Sequence, residues 1–440
     1  MHLARLKLIF SVASLVLIVA WLLSVDASGL ASGFWQARGL LIPFTGILAV
    51  GFLSLAILLA ARPVQVESLL GGLDKYYRLH KWLGVAAAMT AIIHWLLETA
   101  PRTLARQGWI DRPFRTPGGA RPETFPSLRE PAAEVGEWAF YLLLILVALA
   151  LWRRFPYHLF QKTHRLMAPL FLALVFHSVV LMRSDQWLAP IGMVMVVLLP
   201  AAATAAGFSL FRRIGHSRRA TGEVIDFHLH PGSAVLDVRV RLATAWPGHL
   251  AGQFAFLDFE DAEGAHPFTI SSAWTGDGVL AFSIKGLGDY TRTLPRQMRV
   301  GAAVTVEGPY GRFSFGSTGR PQVWIAGGVG ITPFVAGLQA PTERSDSPTI
   351  DLVYSTRGPD DTFIAEIRQL AARAGARLHL IDTTREGLLS LDRLASLVPR
   401  WRDSEVWFCG PQGFGRSLRA AMLAGGLPAE RFHQELFEMR

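Results

Sequence analysis

Hydrophobic positions along this 440-residue chain change their spacing once, near residue 211. Before that point they come in runs of about twenty residues with few charges. After it they alternate with polar residues, or recur at helical spacing between Gly- and Pro-containing turns. Runs of about twenty residues match a bilayer core of about 30 Å at about 1.5 Å per helical residue. Six are expected to span, near residues 8–25, 40–61, 79–100, 136–152, 164–182 and 187–211. From about 219 to 316 the segments "GEVIDFHLH", "AVLDVRVRL", "QFAFLDF", "LAFSIKG" and "AAVTVEG" predict the short strands of an antiparallel barrel. Beyond them "QVWIAGG", "TIDLVYS", "RLHLIDT" and "EVWFCGP" are apolar strands separated by helical stretches, as in a doubly wound parallel sheet. The expected fold is multi-domain: a six-helix transmembrane bundle over 1–211, an antiparallel β-barrel over 217–318 and an α/β doubly wound domain over 319–440.

Composition sharpens this division. Hydrophobic residues make up 51% and charged residues 18%, too apolar on average for an ordinary soluble enzyme. The net charge of +9 is gathered at the ends of the apolar runs, without an aromatic-interleaved basic surface, which excludes nucleic acid as the partner and points to the lipid bilayer. With the N-terminus inside, one set of loops carries Arg62, Lys75, Arg78, Lys81, Arg153, Arg154, Lys162, Arg165, Arg212, Arg213, Arg218 and Arg219. That is the positive-inside pattern, and it puts the chain in the cell (inner) membrane with its soluble half in the cytoplasm. The opposite side has Arg38, Arg183 and the loop 101–134, whose six arginines are partly balanced by Asp111, Glu123, Glu130 and Glu134. Arg5 and Lys7 precede the first run as in a secretory signal, but with no clear small-residue cleavage site it is expected to be retained. One cysteine, Cys409, excludes an internal disulfide and any iron–sulfur cluster held by several thiolates of this chain.

Four histidines lie within the apolar runs. His80 and His94 are fourteen residues apart in the third, His164 and His177 thirteen apart in the fifth. Such spacings separate the members of each pair by roughly 20 Å along the membrane normal. Both runs cross in the same direction, so His80 meets His164 at the inner level and His94 meets His177 at the outer one. Each level then offers two neutral imidazoles, the ligand set of a six-coordinate haem iron. A lone imidazole in a span is more often hydrogen-bonded to a neighbouring helix; four polar groups so placed, each costly in hydrocarbon, call for a function. Fourteen residues return an ideal helix to within about 40° of the same face, but thirteen leave it about 140° away. The fifth span must therefore be irregular between 163 and 170, where Pro169 lies.

In the soluble half, "AGGVGITPF" (326–334) follows a strand and opens a helix. Gly327, Gly328 and Gly330 let the backbone approach a pyrophosphate at the helix N-terminus, although a plain tight turn reads the same way. Its companions are more specific. "HPFTISS" (266–272), "SIKGLGDYT" (283–291), "EGPYG" (307–311), "FCGP" (408–411) and "HQELFEMR" (433–440) follow the order found in the ferredoxin reductase superfamily. Preceded by six spans with paired histidines, the chain resembles the NADPH oxidase and ferric reductase transmembrane family, in a bacterial size.

That resemblance implies FAD, two haem b groups and NADPH or NADH as cofactors. Within "HPFTISS", which also holds Pro267 and Ser272, Phe268 would pack on the isoalloxazine ring and Thr269 would hydrogen-bond near its reactive nitrogen. The alternative for Phe268 is a buried strand-edge residue. His266 and Lys285, with the Gly286 and Gly288 turn, would meet the FAD pyrophosphate, and Thr291 would add a hydroxyl. Gly327, Gly328 and Thr332 would hold the nicotinamide cofactor's pyrophosphate. Cys409 and Gly410 would flank the nicotinamide, Cys409 having a buried structural role as its alternative. Phe437 would cover the flavin, or anchor the tail. Ser355 and Arg357 follow the second strand where a 2′-phosphate would sit, which favours NADPH; a solvated loop charge is the other reading of Arg357.

The expected activity is transmembrane electron transfer from cytosolic NAD(P)H through FAD and two bis-histidine haems to an extracytoplasmic one-electron acceptor. A nicotinamide gives two electrons as hydride and haem iron takes one at a time, so a flavin must stand between them. The resemblance offers ferric chelate or dioxygen as acceptor. Oxidase members commonly carry a histidine one helical turn after the outer ligand; here that place holds Glu98, which argues against oxygen. Arg38 is either an attractor of anions or an interfacial anchor. Two other readings stay open: a haem relay that donates electrons to a periplasmic partner protein, and a transporter with a nucleotide-sensing domain.

Overall fold

The computed structural model describes residues 2–26, 33–62, 70–111, 124–152, 154–211, 213–261, 263–313, 315, 319–340 and 349–434. It divides into two compact units, one holding the apolar segments and one running from Gly215 onward.

In the first unit, six helical segments among the described residues are long and apolar enough to cross a membrane. They are α1 (His2–Leu22), α2 (Phe34–Ala60), α3 (Leu73–Arg106), α4 (Arg129–Leu151), the consecutive pair α5 (Tyr157–His164) and α6 (Met167–Leu181), and α7 (Pro190–Leu210). Leu15, Met89, Ile145 and Val197 stay exposed on their outer faces, as expected where lipid covers one side. Helix α2 packs on α1, α6 and α7, and α4 packs on α6. Both helices beside the 101–134 loop are longer than their apolar runs, α3 reaching Arg106 and α4 starting at Arg129. Hydropathy marks where lipid ends, whereas "TLAR" and "REPAAE" are helix-forming sequences that continue beyond it. Arg112, Arg115, Arg121 and Glu123 lie outside the described residues.

The fifth span is broken between His164 and Met167. Pro169 has no N–H to give the Arg165 carbonyl, which instead accepts from Ala168 at 3.3 Å, and Leu166 donates to Thr163 at 3.0 Å. These three-residue bonds tighten the turn. His164 thus closes a short helix rather than opening the long one, so the span starts at Tyr157, seven residues before the apolar run.

The second unit begins with six antiparallel strands: β1 (Arg219–His230), β2 (Val235–Leu242), β3 (Phe254–Asp258), β4 (His266–Thr269), β5 (Val279–Lys285) and β6 (Ala303–Tyr310). Their order is β4-β3-β6-β1-β2-β5, and an Ile270–Phe282 bridge joins the two ends into a barrel. Leu236, Val238 and Val240 alternate inward on β2, and Leu280, Phe282 and Ile284 on β5. Helix α8 (Asp289–Gln297) follows β5 and inserts Tyr290 and Leu294 into the same core.

A parallel sheet follows, in the order β11-β10-β7-β8-β9. Its strands are β7 (Gln322–Gly327), β8 (Ile350–Thr356), β9 (Ala376–Asp382), β10 (Glu405–Cys409) and β11 (Phe432–Gln434). Between them run α9 (Thr332–Gln339), α10 (Asp361–Arg373), α11 (Thr383–Glu386), α12 (Leu391–Leu397) and α13 (Gln412–Ala424). Strand order reverses between β7 and β10, so a crevice opens at their carboxyl ends. β11 was not expected from sequence: three residues are too few for a hydrophobic period.

Candidate cofactor sites

In the first unit, α3 carries His80 and His94, α5 ends on His164 and α6 carries His177. Ring centroids of His80 and His164 are 6.0 Å apart, and those of His94 and His177 are 6.4 Å apart. Two imidazoles bound end-on to one ion at about 2.0–2.1 Å, with roughly 1.1 Å from nitrogen to ring centre, have centroids roughly 6.3 Å apart. Both separations fit an iron between the rings. Three of the four Nδ1 atoms donate to backbone carbonyls: His80 to Ala56 at 2.8 Å, His94 to Ile42 at 2.9 Å and His177 to Ala132 at 2.8 Å. A carbonyl only accepts, so these Nδ1 atoms carry the hydrogen and each Nε2 keeps a free lone pair, the tautomer a metal requires. His164 differs. Its Nδ1 is buried with no hydrogen-bond partner among the described residues, and the Phe160 ring lies 5.1 Å away.

Two residues that the sequence reading passed over make room for the outer pair. A Cβ on Gly136 of α4 would fall on His177 Nδ1, and one on Gly46 of α2 would lie 3.1 Å from His94 Cε1. A cavity of about 800 Å³ adjoins these rings, lined among others by Gly46, Trp95, Phe140, Arg38 and Glu98. Arg38 Nε donates to the Leu97 carbonyl at 2.7 Å, and Nη2 to the Glu98 carbonyl and carboxylate, each at 3.0 Å. Arg102 approaches the other Glu98 oxygen at 2.6 Å.

In the second unit, "HPFT" forms β4, pairing with β3 so that Thr269 stands opposite Phe254 and Phe268 opposite Ala255. All four residues from His266 to Thr269 are half-buried, and Phe268 packs against the barrel core. His266 Nδ1 donates to the Gly264 carbonyl at 2.9 Å, and its ring stacks on Tyr290 with centroids 4.3 Å apart. Tyr290 was not singled out from sequence. Burial, and after it the Asp261 carboxylate, push its phenol well above the usual range, so it stays protonated. The Ser272 hydroxyl accepts from the Ala281 N–H at 3.1 Å. Thr291 Oγ1 accepts from the N–H groups of Leu287 and Gly288, both at 3.0 Å, and so caps α8. Gly286 donates to the Ala234 carbonyl at 2.9 Å, fixing the turn out of β5.

Lys285 ends β5 and lines a second cavity of about 240 Å³ together with Gly328, Thr332, Thr356, Arg357 and His230. The sequence reading placed Lys285 at the FAD pyrophosphate, whereas here it faces the Gly-rich loop of the parallel sheet. That loop is built on close approach. Gly328 has φ +56, Gly330 abuts the Cys409 carbonyl, and a Cβ on Gly410 would lie 2.9 Å from Gly327 Cα. Cys409 is fully buried at the end of β10. Ser355 is buried within β8, leaving Arg357 as the member of that pair that lines the cavity. Phe437 lies outside the described residues.

Comparison with known proteins agrees with this division. Residues 45–175 match the ferric reductase like transmembrane component, 223–314 an FAD-binding domain and 324–419 an oxidoreductase NAD-binding domain. The chain is a ferric reductase-like membrane domain joined to a ferredoxin reductase-type FAD/NAD half. It is accordingly a multi-pass membrane protein. A flavohemoprotein of Pseudomonas putida is 28% identical over 248 residues, 52% of this chain and 58% of that protein. A tetrachlorobenzoquinone reductase of Sphingobium chlorophenolicum is 36% identical over 151 residues, 33% of this chain and 44% of that protein. The solved ferredoxin reductase of a carbazole 1,9a-dioxygenase is 23% identical, with a TM-score of 0.43 over 49% of this chain and 66% of that one. The chain thus spans about half the length of the curated relatives it matches. All of the four histidines except His177 fall inside the ferric reductase-like match.

Proposed function

We propose that this protein carries electrons across the inner membrane, from cytosolic NAD(P)H through FAD and two bis-histidine haems to a one-electron acceptor outside. The observation that carries the reading is the pair of imidazole separations, 6.0 and 6.4 Å, at two levels of the same helices. Bound FAD would take hydride and release electrons singly, and bound haem iron would take one at a time. Nδ1 donation to carbonyls orients His80, His94 and His177 so that Nε2 meets the iron, with His164 as the fourth ligand. Phe268 and Thr269 on β4 hold the flavin ring, His266 the flavin's phosphate side. Gly327, Gly328, Thr332 and Lys285 receive the nucleotide pyrophosphate, and Arg357 is suited to a 2′-phosphate and so to NADPH. Cys409 and Gly410 flank the nicotinamide, at the crevice between β7 and β10.

Ferric chelate is the acceptor this site favours. Glu98 stands where oxidase relatives carry a histidine, and it engages Arg38 at 3.0 Å.

Purified full-length protein in detergent is expected to show a bis-histidine Soret band, two haems per chain and bleaching of flavin by NADPH. His94→Ala or His177→Ala should remove one haem while flavin reduction survives; unchanged haem content would refute the assignment. Ferric-chelate reduction without oxygen, set against superoxide yield in air, identifies the acceptor. Transfer only to a periplasmic protein fraction would favour the relay instead.

A further inference from the structure

The carbonyls that hold the outer histidines share a local pattern. Ile42 on α2 receives His94 and is followed four residues later by Gly46; Ala132 on α4 receives His177 and is followed four residues later by Gly136. In a helix the side chain at i+4 stands over the carbonyl of i. With glycine there, a foreign ring reaches that carbonyl while the helical bond stays in place. Side chains at both positions would collide with the rings, Gly136 severely and Gly46 by a few tenths of an ångström. Thr45 adds a further contact: its hydroxyl lies 3.3 Å from His94 Nδ1 and donates to Leu41 and Ile42, so it accepts from the imidazole.

The inner pair lacks this construction. His80 meets the Ala56 carbonyl, but the residue four positions on is Ala60, and His164 Nδ1 has no partner among the described residues. Donation from Nδ1–H raises the basicity of Nε2, and a more basic ligand favours ferric over ferrous iron. Two such donations act at the outer level and one at the inner.

We propose that Gly46 and Gly136 are positioning residues that make the His94–His177 site the lower-potential of the two haem sites. The proposal rests on the haem reading above. At equilibrium an electron then resides at the His80–His164 level, and the outer site fills only as an external acceptor drains it.

Spectroelectrochemical titration of the full chain in detergent tests this. Two one-electron steps are expected, with at least a tenfold preference of the electron for the inner site, which is 59 mV for a one-electron couple. His177→Ala should retain only the higher step and His164→Ala only the lower. Gly46→Ala should raise the lower step and leave the higher in place. Coincident steps, a reversed assignment in the histidine variants, or a Gly46→Ala protein whose lower step does not move would each overturn the proposal. A preparation with no Soret band would instead overturn the haem reading itself.

Discussion

Lys285, at the end of β5 in the barrel, brings its ammonium within 3.5 Å of the place a Cβ would take on Gly328, in the loop after β7. One charge from the flavin barrel therefore serves the Gly-rich loop of the neighbouring sheet, where an anion is already favoured by backbone N–H groups.

Lys285→Gln should accordingly raise the KM for NADPH about tenfold, roughly 1.4 kcal/mol, and leave flavin content unchanged. Arg357→Ala should weaken NADPH by a similar factor and leave NADH alone, because only the 2′-phosphate is lost. Steady-state kinetics with both nucleotides, beside flavin quantification, checks the pair. Loss of FAD from the Lys285 variant would return that residue to the flavin pyrophosphate.

Arg38 and Glu98 contribute unequally to the membrane unit. The Arg38 side chain is 10% exposed and also satisfies two backbone carbonyls of α3, while that of Glu98 is 35% exposed and retains Arg102. Arg38→Ala should cost about 2 kcal/mol through lost charge-assisted hydrogen bonds, and Glu98→Gln less than about 1 kcal/mol. Thermal unfolding of both variants in detergent would show the order, and an equal or reversed order would contradict it.

His249 makes the barrel sensitive to acid. Its Nε2 donates to the Ser272 carbonyl at 2.8 Å and its Nδ1 is buried without a partner among the described residues. Burial holds its pKa below the usual histidine value, against a smaller upward pull from that carbonyl. The unfolded chain therefore takes up a proton first, at about pH 6.5, and stability falls as the pH drops through that value toward the lower folded pKa. His249→Gln should flatten the melting temperature between pH 7 and pH 5 relative to wild type. Parallel melting curves across that range would assign the acid sensitivity elsewhere.

Much of this architecture is legible in the sequence because run length and periodicity report burial directly. Six apolar runs, alternating barrel strands and the Gly-rich loop "AGGVGITPF" each depend on neighbours along the chain. Glycines 46 and 136 escaped notice because nothing local distinguishes a notch from an ordinary small residue in a span. β4 and β11 are four and three residues long, too short to carry a period, and are strands only because β3 and β10 lie beside them.

The sequence by itself determined that four imidazoles would lie in the membrane runs, at two depths, because rise per residue is fixed by helix geometry. It also required an irregularity near Pro169, since thirteen residues cannot bring two rings to one face of a straight helix. Only the tertiary structure decided that His80 faces His164 and His94 faces His177, which helix carbonyls receive their Nδ1 atoms, and that Lys285 meets the loop at Gly328. Those relations depend on the rotation and register of one element against another, and contacts between distant segments leave no periodic trace in either segment alone.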